Sequence, residues 1–515
     1  MHRIGPIEPL APEDETVGPE PHMPHRVRIQ HAAVALLAGL VVLTSTRNGP
    51  ILSPDSITYI SAAESLRSLA GFIDFTGEPL THFPPIFPLL LVPGGRSLLW
   101  ASIIGVICSA AIAVLLYNLF ELRVRSSAAL VGTALYVLSQ AAARIESMVW
   151  SETPYLMFAL ATMYVLSRQS PTTRSAAAAG ILAGLCFLTR YAGAGLVLTG
   201  LVMVIVATME DKHHLRRCTI SYLTAPAALA SLWIARNLFA TGEPLGPHFE
   251  GGAGESLPLL ARRTARAFGR LVIDLDTAGS VAEPAGFVVL IGLLVAAIFA
   301  FRRNPRNTLD VGMATFAVMS IVLPVVSRAV AGTDVSARLL SPTLIPVVYF
   351  AVVAINRISQ NKLLLGLAAA GALVWSAHGI DTALHGPDRL GGSAANPQFS
   401  SQLYPLVADL PPDANVLTNN PQRLWWSARR FPVSFAFTQP KAGNSHFPLS
   451  PTETVRRACS ADAYLAWFSE LDNAGGVGPA ELRPDLAALI TLVPVESVPG
   501  GQLFELAVND RVKCR

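Results

Sequence analysis

Apolar runs of about 15–22 residues recur from Ala32 to His378, and such runs are read as membrane-spanning helices. The chain has 515 residues, 52% of them hydrophobic and 14% charged, where a soluble chain carries about a quarter. Eleven candidate spans fall near 30–46, 98–119, 126–143, 151–167, 175–189, 191–208, 218–237, 285–301, 310–330, 339–356 and 363–379. Residues 1–28 are rich in proline and acid and lack a continuous apolar stretch, so they read as a disordered cytoplasmic tail and not as a cleaved leader.

Loop charge predicts the orientation. With the N-terminus in the cytoplasm, the cytoplasmic loops hold Arg123/Arg125, Arg168/Arg174, Lys212/Arg216/Arg217, Arg302/Arg303/Arg306 and Arg357/Lys362. The opposite turns carry single arginines, as the positive-inside rule requires. Eleven spans then place three segments on the outer face of a plasma membrane: loops 47–97 and 238–284, and the domain-sized 380–515. In the last, "DANVLTNN", "LAALITLVPV" and "QLFELAV" read as strands, and "YPLVADL" and "PQRLWWSARR" as helices, giving an α/β domain. Its two cysteines, Cys459 and Cys514, would lie in an oxidising compartment; a disulfide and two free thiols both fit. No basic stripe with interleaved aromatics points to nucleic acid.

The first loop begins "SPDSITYIS". Ser53 suits an N-cap and Pro54 the first helical position, with Asp55 in the first turn. Tyr59, Ala62/Ala63, Leu66 and Leu69/Ala70 share one face, which predicts an amphipathic helix lying on the membrane surface. Acidic residues favour first turns for dipole reasons alone. The loop's "HFPPIFPLLL" return would also hold Asp55 at the mouth of a cavity between spans.

Several motifs occur in order: Asp55 and Tyr59 in a DxxxY pattern, the Pro84/Pro85/Pro88 return, "SETPYLMF", "GLCFLTRYAG", "WIARNLFATGEPLG" and "ARLLSPTLIPVV". Over roughly residues 30–356 the chain resembles the GT-C superfamily of integral-membrane glycosyltransferases, in its protein-mannosyltransferase, aminoarabinose-transferase and Rgt-like branch. The resemblance implies a catalytic domain over 29–379 and transfer of a sugar from a polyprenyl-phosphate donor to an envelope glycan, glycolipid or protein. It implies that Asp55 is the catalytic base, acting by direct displacement with inversion. Ser56 follows Asp55 where some relatives carry a second acid, so a double-acid metal motif is incomplete and a divalent ion stays an open question.

Glu152 resembles the second acidic position of that family and equally suits a helix start. Glu146 lies outside any motif and reads as a solvated loop residue. Arg338, Arg236, His82 and Arg190 are the candidates for the donor phosphate, although arginines at span ends also anchor at the interface. Tyr404, Trp425, Trp426 and Trp467 fit either a domain core or stacking on sugar. His31, His378 and His385 lack companions at ligand spacing and read as structural. Two other classes remain open: a transporter or lipid-glycan flippase, without a detectable repeat of one half in the other, and an inactive scaffold.

Overall fold

The structure, a computed structural model, describes residues 24–168, 170–246, 255–272, 279–302, 306–331, 334–358, 362–390, 401–428, 433–434, 451–460, 462–468 and 488–509. The N-terminal tail up to residue 23 and Cys514 lie outside the described residues.

Every one of the eleven apolar segments is helical. In chain order they are α1 (Pro24–Ser45), α4 (Leu98–Glu121), α5 (Ser126–Val137) with α6 (Gln140–Glu146), α7 (Glu152–Ser167), α8 (Thr173–Phe187), α9 (Gly193–Thr208), α10 (Lys212–Thr241), α12 (Ala282–Phe301), α13 (Thr308–Ala331), α14 (Ala337–Leu340) with α15 (Leu344–Ile358), and α16 (Lys362–Leu390). Among the described residues, five helices are long and apolar enough to cross a membrane, and α5 with α6 makes a sixth if their 59° bend is counted as one span. Others, such as α8 and α9, are apolar but shorter. The chain is therefore a polytopic helical membrane protein.

Small residues let these helices approach closely. Tyr222 of α10 is fully buried, with its hydroxyl donating to the Val197 carbonyl. A Cβ at Gly180 of α8 would lie 2.1 Å from the Tyr222 carbonyl, and one at Gly200 of α9 would lie 2.1 Å from its hydroxyl. Glycine at both positions is what lets one tyrosine pin three helices.

Loop 47–97 contains α2 (Pro54–Arg67) and α3 (Ile86–Leu91). α2 departs from the surface helix predicted from its pattern. Ser56, Ile57, Thr58, Tyr59, Ile60, Ser61, Ala62, Ala63 and Ser65 are all buried, so the helix is enclosed over most of its length, while its polar edge stays open with Glu64 half-buried and Arg67 and Ser68 exposed. It ends at Arg67, and Leu69, assigned to the apolar face, is exposed in the left-handed region at φ 59°. Neighbouring elements cover the helix, which the periodicity of one segment could not show. Glu146 is likewise buried, because α6 folds back at the bend and carries its C-terminal end inward.

In loop 238–284 the structure adds α11 (Leu257–Val272), an amphipathic helix. Its Leu260, Phe268 and Leu271 face inward, while Arg262 and Arg266 pair with Glu283 at 2.7 and 3.1 Å.

The C-terminal segment forms a five-stranded mixed sheet in the order β2-β1-β3-β5-β4. β1 (Asn415–Thr418) lies parallel to β2 (Val433–Ser434) and β3 (Ala463–Trp467), and β5 (Gly501–Val508) is antiparallel to β3 and to β4 (Ile490–Val498). Alternating residues feed two cores. Leu417, Leu465 and Trp467 pack with Val455 of α19 (Pro451–Ser460). Val416, Ala466 and Leu503 pack with Leu403 and Tyr404 of α17 (Leu403–Ala408) and Leu424 of α18 (Pro421–Ala428). Tyr404 and Trp467 are thus core residues. Cys459 is disulfide-bonded.

Candidate active site

Two helix starts are stitched together. Ser53 caps α2 with a reciprocal box: its hydroxyl accepts from the Ser56 amide at 3.3 Å, and its own amide donates to Ser56 Oγ at 3.0 Å. Ser56, at the place where a second acid would stand, therefore serves the cap. Trp150 Nε1 donates to Ser53 Oγ at 2.6 Å. The Ile51 amide donates to the Ser147 carbonyl at 3.0 Å, and the Val149 amide to the Ile51 carbonyl at 3.3 Å. These bonds set Asp55, in the first turn of α2, beside Glu152, the first residue of α7.

Arg338 of α14 bridges the two carboxylates. Its Nε donates to Glu152 Oε1 at 2.5 Å, Nη2 to Glu152 Oε2 at 3.3 Å, and Nη1 to Asp55 Oδ2. The guanidinium carbon lies over Trp150, 3.8 Å from the ring centre. Arg190, between α8 and α9, reaches Glu152 Oε1 at 2.7 Å and donates to Ser151 Oγ at 3.0 Å. Ser151 Oγ also bonds the Tyr59 hydroxyl at 3.0 Å. Burial, and then the Asp55 charge, hold the Tyr59 phenol above its ordinary pKa, so it remains protonated.

The two acids differ in access. The Glu152 side chain is 1% exposed and is gripped by two arginines, whereas that of Asp55 is 24% exposed. Asp55 is thus the carboxylate with an edge open to an incoming group. Two carboxylates and two guanidiniums make the cluster neutral overall.

Arg236 and His82 sit elsewhere. Arg236 donates to the carbonyls of Leu80 at 2.5 Å and Phe72 at 3.0 Å, and lies near the Phe72 and Trp233 rings. Asn237 donates to the Thr81 and Pro244 carbonyls and to the Tyr191 hydroxyl. This pair ties the backbone at Phe72, Leu80, Thr81 and Pro244 to the end of α10. The His82 ring lies against Phe83, whose ring meets Tyr59 at 4.7 Å, one aromatic contact short of the charged cluster.

Among the described residues no three His, Cys, Asp or Glu side chains converge as metal ligands. Asp55 and Glu152 offer two carboxylates with a guanidinium already between them, so the donor set as arranged does not fit a divalent ion. An apolar cavity of about 460 Å³ lies apart from the cluster, between α6, α11 and α16, where Leu271, Val374, Trp375 and His378 line it.

The fold is that of the GT-C glycosyltransferase superfamily. Residues 89–235 match the family of dolichyl-phosphate-mannose-protein mannosyltransferases. The chain is similar in structure to ArnT from Cupriavidus metallidurans bound to undecaprenyl phosphate, with a TM-score of 0.62, 14% identity, and 93% of this chain and 97% of that one covered. It is also similar to the oligosaccharyltransferase of Archaeoglobus fulgidus in the apo form (TM-score 0.51, 14% identity, 93% and 74% covered). A third likeness is to the arabinofuranosyltransferase AftD from Mycobacteria (TM-score 0.50, 15% identity, 94% and 40% covered). No curated protein matches by sequence.

Asp55, Glu152, Arg338 and Arg190, picked out from the sequence, meet in one cluster. Trp150, Ser151 and Tyr59 join them. The adjacency of Trp150 and Ser151 to Glu152 and the DxxxY spacing were visible signals; the hydrogen bonds from Ser151 to Tyr59 and Arg190 were not.

Proposed function

We propose that the protein is a membrane glycosyltransferase that takes a sugar from a polyprenyl-phosphate donor and passes it to an envelope acceptor on the outer face. The observation that carries this reading is the convergence of Asp55, Glu152, Arg190 and Arg338 from four elements widely separated in sequence, with Asp55 the more accessible acid. The undecaprenyl phosphate in the similar ArnT structure and the lipid-linked mannose in the matched family's description support the donor class.

The acceptor hydroxyl attacks the anomeric carbon as its proton passes to Asp55. The bond from that carbon to the phosphate oxygen breaks, and the lipid phosphate leaves with the electron pair. One base suffices because phosphate needs no proton to depart, and displacement at one face inverts the anomeric centre. Arg338 and Arg190 supply the cationic side toward the phosphate. Glu152, held by both, orients them.

The test is transfer from a labelled polyprenyl-phosphate sugar by the purified full-length protein in nanodiscs, with Asp55→Asn alongside. Sugar transfer lost in the variant supports the reading. Translocation of intact lipid-linked sugar without transfer would favour a flippase. For topology, a reporter active in the cytoplasm and fused after Arg515 is expected to be silent.

A further inference from the structure

α18 of the C-terminal domain has two faces. Leu424 and Ala428, one turn apart, pack into their own domain's core. Trp425 turns the other way and is 3% exposed, within the apolar cluster of Leu52, Ile57, Tyr59, Ile60 and Ala63 around α2. Trp426 packs on the edge of the same cluster. The guanidinium of Arg96 lies 3.8 Å over the Trp425 ring.

The turn that carries Arg96 is itself wedged against α2. Gly95 has φ +54°, and a Cβ there would come within 2.5 Å of Glu64 Oε2 and 2.8 Å of Arg67 Nε. Glu64 and Arg67 pair with each other on the last turns of α2. α2 is therefore held at its start by Ser53 and Trp150, and along its side and end by Trp425 and the Gly95–Arg96 turn. Asp55 rides on the helix between these grips, and Ile57, two residues on, belongs to the Trp425 cluster.

We propose that Trp425 is a positioning residue for sugar transfer: by seating α2, the C-terminal domain fixes where Asp55 meets the acceptor hydroxyl. The inference rests on the transferase reading above. A general base works within hydrogen-bond reach of its proton, about 2.6–3.2 Å, and a displacement of about 1 Å can cost on the order of a hundredfold in rate. Arg338 and Arg190 come from other elements, and both keep their pairing with Glu152 of α7 when α2 shifts, so the cationic side retains that anchor.

The experiment uses the full-length protein in nanodiscs with Trp425→Ala, Trp425→Phe and Arg96→Ala. Two readouts are taken: kcat and donor KM for a polyprenyl-phosphate sugar, and amide hydrogen exchange across residues 54–67, 152–167 and 337–340. For Trp425→Ala, kcat is expected to fall about tenfold to a hundredfold while donor KM stays within about twofold. Exchange in 54–67 should speed at least about tenfold, with 152–167 and 337–340 unchanged. Trp425→Phe, which refills the site and keeps a face for Arg96, should restore most of both, and Arg96→Ala should fall between. Unchanged exchange in 54–67, or a kcat within about twofold of wild type, overturns the proposal. So does a parallel loss in every segment, which would mark Trp425 as a general folding residue. If wild type transfers no sugar, the transferase reading fails separately, while exchange still decides whether Trp425 seats α2.

Discussion

Two arginine–carboxylate clusters differ in how they are enclosed. In one, Arg338 and Arg190 meet Asp55 and Glu152. In the other, just past the C-terminal end of α4, Arg123 donates to both oxygens of Asp310, from Nε at 3.1 Å and Nη2 at 2.5 Å, and the Tyr349 hydroxyl donates to the same carboxylate at 2.5 Å. Asp310 is fully enclosed, whereas Asp55 keeps an accessible edge. The same pair of groups can close a fold or serve a reaction. What separates the two cases is whether the carboxylate has a lone pair left for a newcomer. Asp310 ties α13 to α15 and to the α4–α5 connection, and a ligand could reach it only by unfolding them. Asp55 offers one open edge beside the Arg338 guanidinium.

The sharpest break of this comparison is Asp55→Asn. Asparagine keeps the size of the side chain and part of its pairing with Arg338 but removes the basic oxygen. Transfer is expected to slow by a factor on the order of 10²–10⁴ with thermal stability near wild type. A first-turn acid serving only the helix dipole would instead lose at most about 1 kcal/mol of stability and leave turnover intact. Retained turnover in a well-folded variant would move the base to Glu152.

Asp310→Ala should show the opposite pattern. Removing one partner of a buried ion pair leaves the Arg123 charge uncompensated and costs roughly 3–5 kcal/mol. The yield of folded protein and its Tm should drop sharply, while kcat of the folded fraction stays within about twofold of wild type. A specific fall in kcat at unchanged Tm would erase the distinction between the clusters.

Arg338→Ala probes the shared member. Losing a charge-assisted contact in a partly desolvated site costs roughly 1.5–3 kcal/mol, or about tenfold to a hundredfold. On the proposed reading the loss should fall on donor KM, because Arg338 would meet the charge of the donor phosphate. Donor KM unchanged in a folded variant would confine Arg338 to pinning Asp55 and Glu152 together.

The sequence showed more of the helices and the charged residues than of their mutual placement. Each apolar run became a helix because burying a backbone in lipid leaves little else to do with its polar groups. The strand at 415–418 fell within a segment read as a strand, and those at 490–498 and 501–508 overlapped such segments but ran past their ends, whereas β2, β3 and α19 were not read, being short or weakly patterned. Asp55, Glu152, Arg338 and Arg190 could be named because each sits at a helix end beside a motif. Arg236 looked the same in sequence, yet it serves the carbonyls of Phe72 and Leu80. Nothing local distinguishes an arginine that joins a carboxylate cluster from one that bonds a loop; that depends on which chain crosses its path. Trp425 was hidden for the same reason, since half of its environment is more than three hundred residues away.

The last and smallest expected effect concerns another buried acid, in the loop that Arg236 bonds. Asp74 accepts from the Thr76 amide at 2.8 Å and from the Thr76 hydroxyl at 2.5 Å. Burial outweighs those bonds and raises its pKa to about 6 from the ordinary 3.8. The sign follows from proton binding. Below about pH 4 both folded and unfolded chains hold the proton, and Asp74 carries no charge penalty. Between about pH 4 and 6 the unfolded chain has released it and the folded one has not, so the Asp74 contribution to stability declines as pH rises and levels off above about 6. Asp74→Asn keeps an oxygen for the Thr76 amide and removes the ionisation. Its Tm relative to wild type is expected to be unchanged near pH 4 and higher by about a few degrees at pH 7.5, with transfer kinetics unaltered at both. A variant less stable than wild type at pH 7.5 would mean that the Asp74 charge is needed by the loop, which would make the carboxylates of loop 47–97 alike in kind and leave exposure alone to set Asp55 apart.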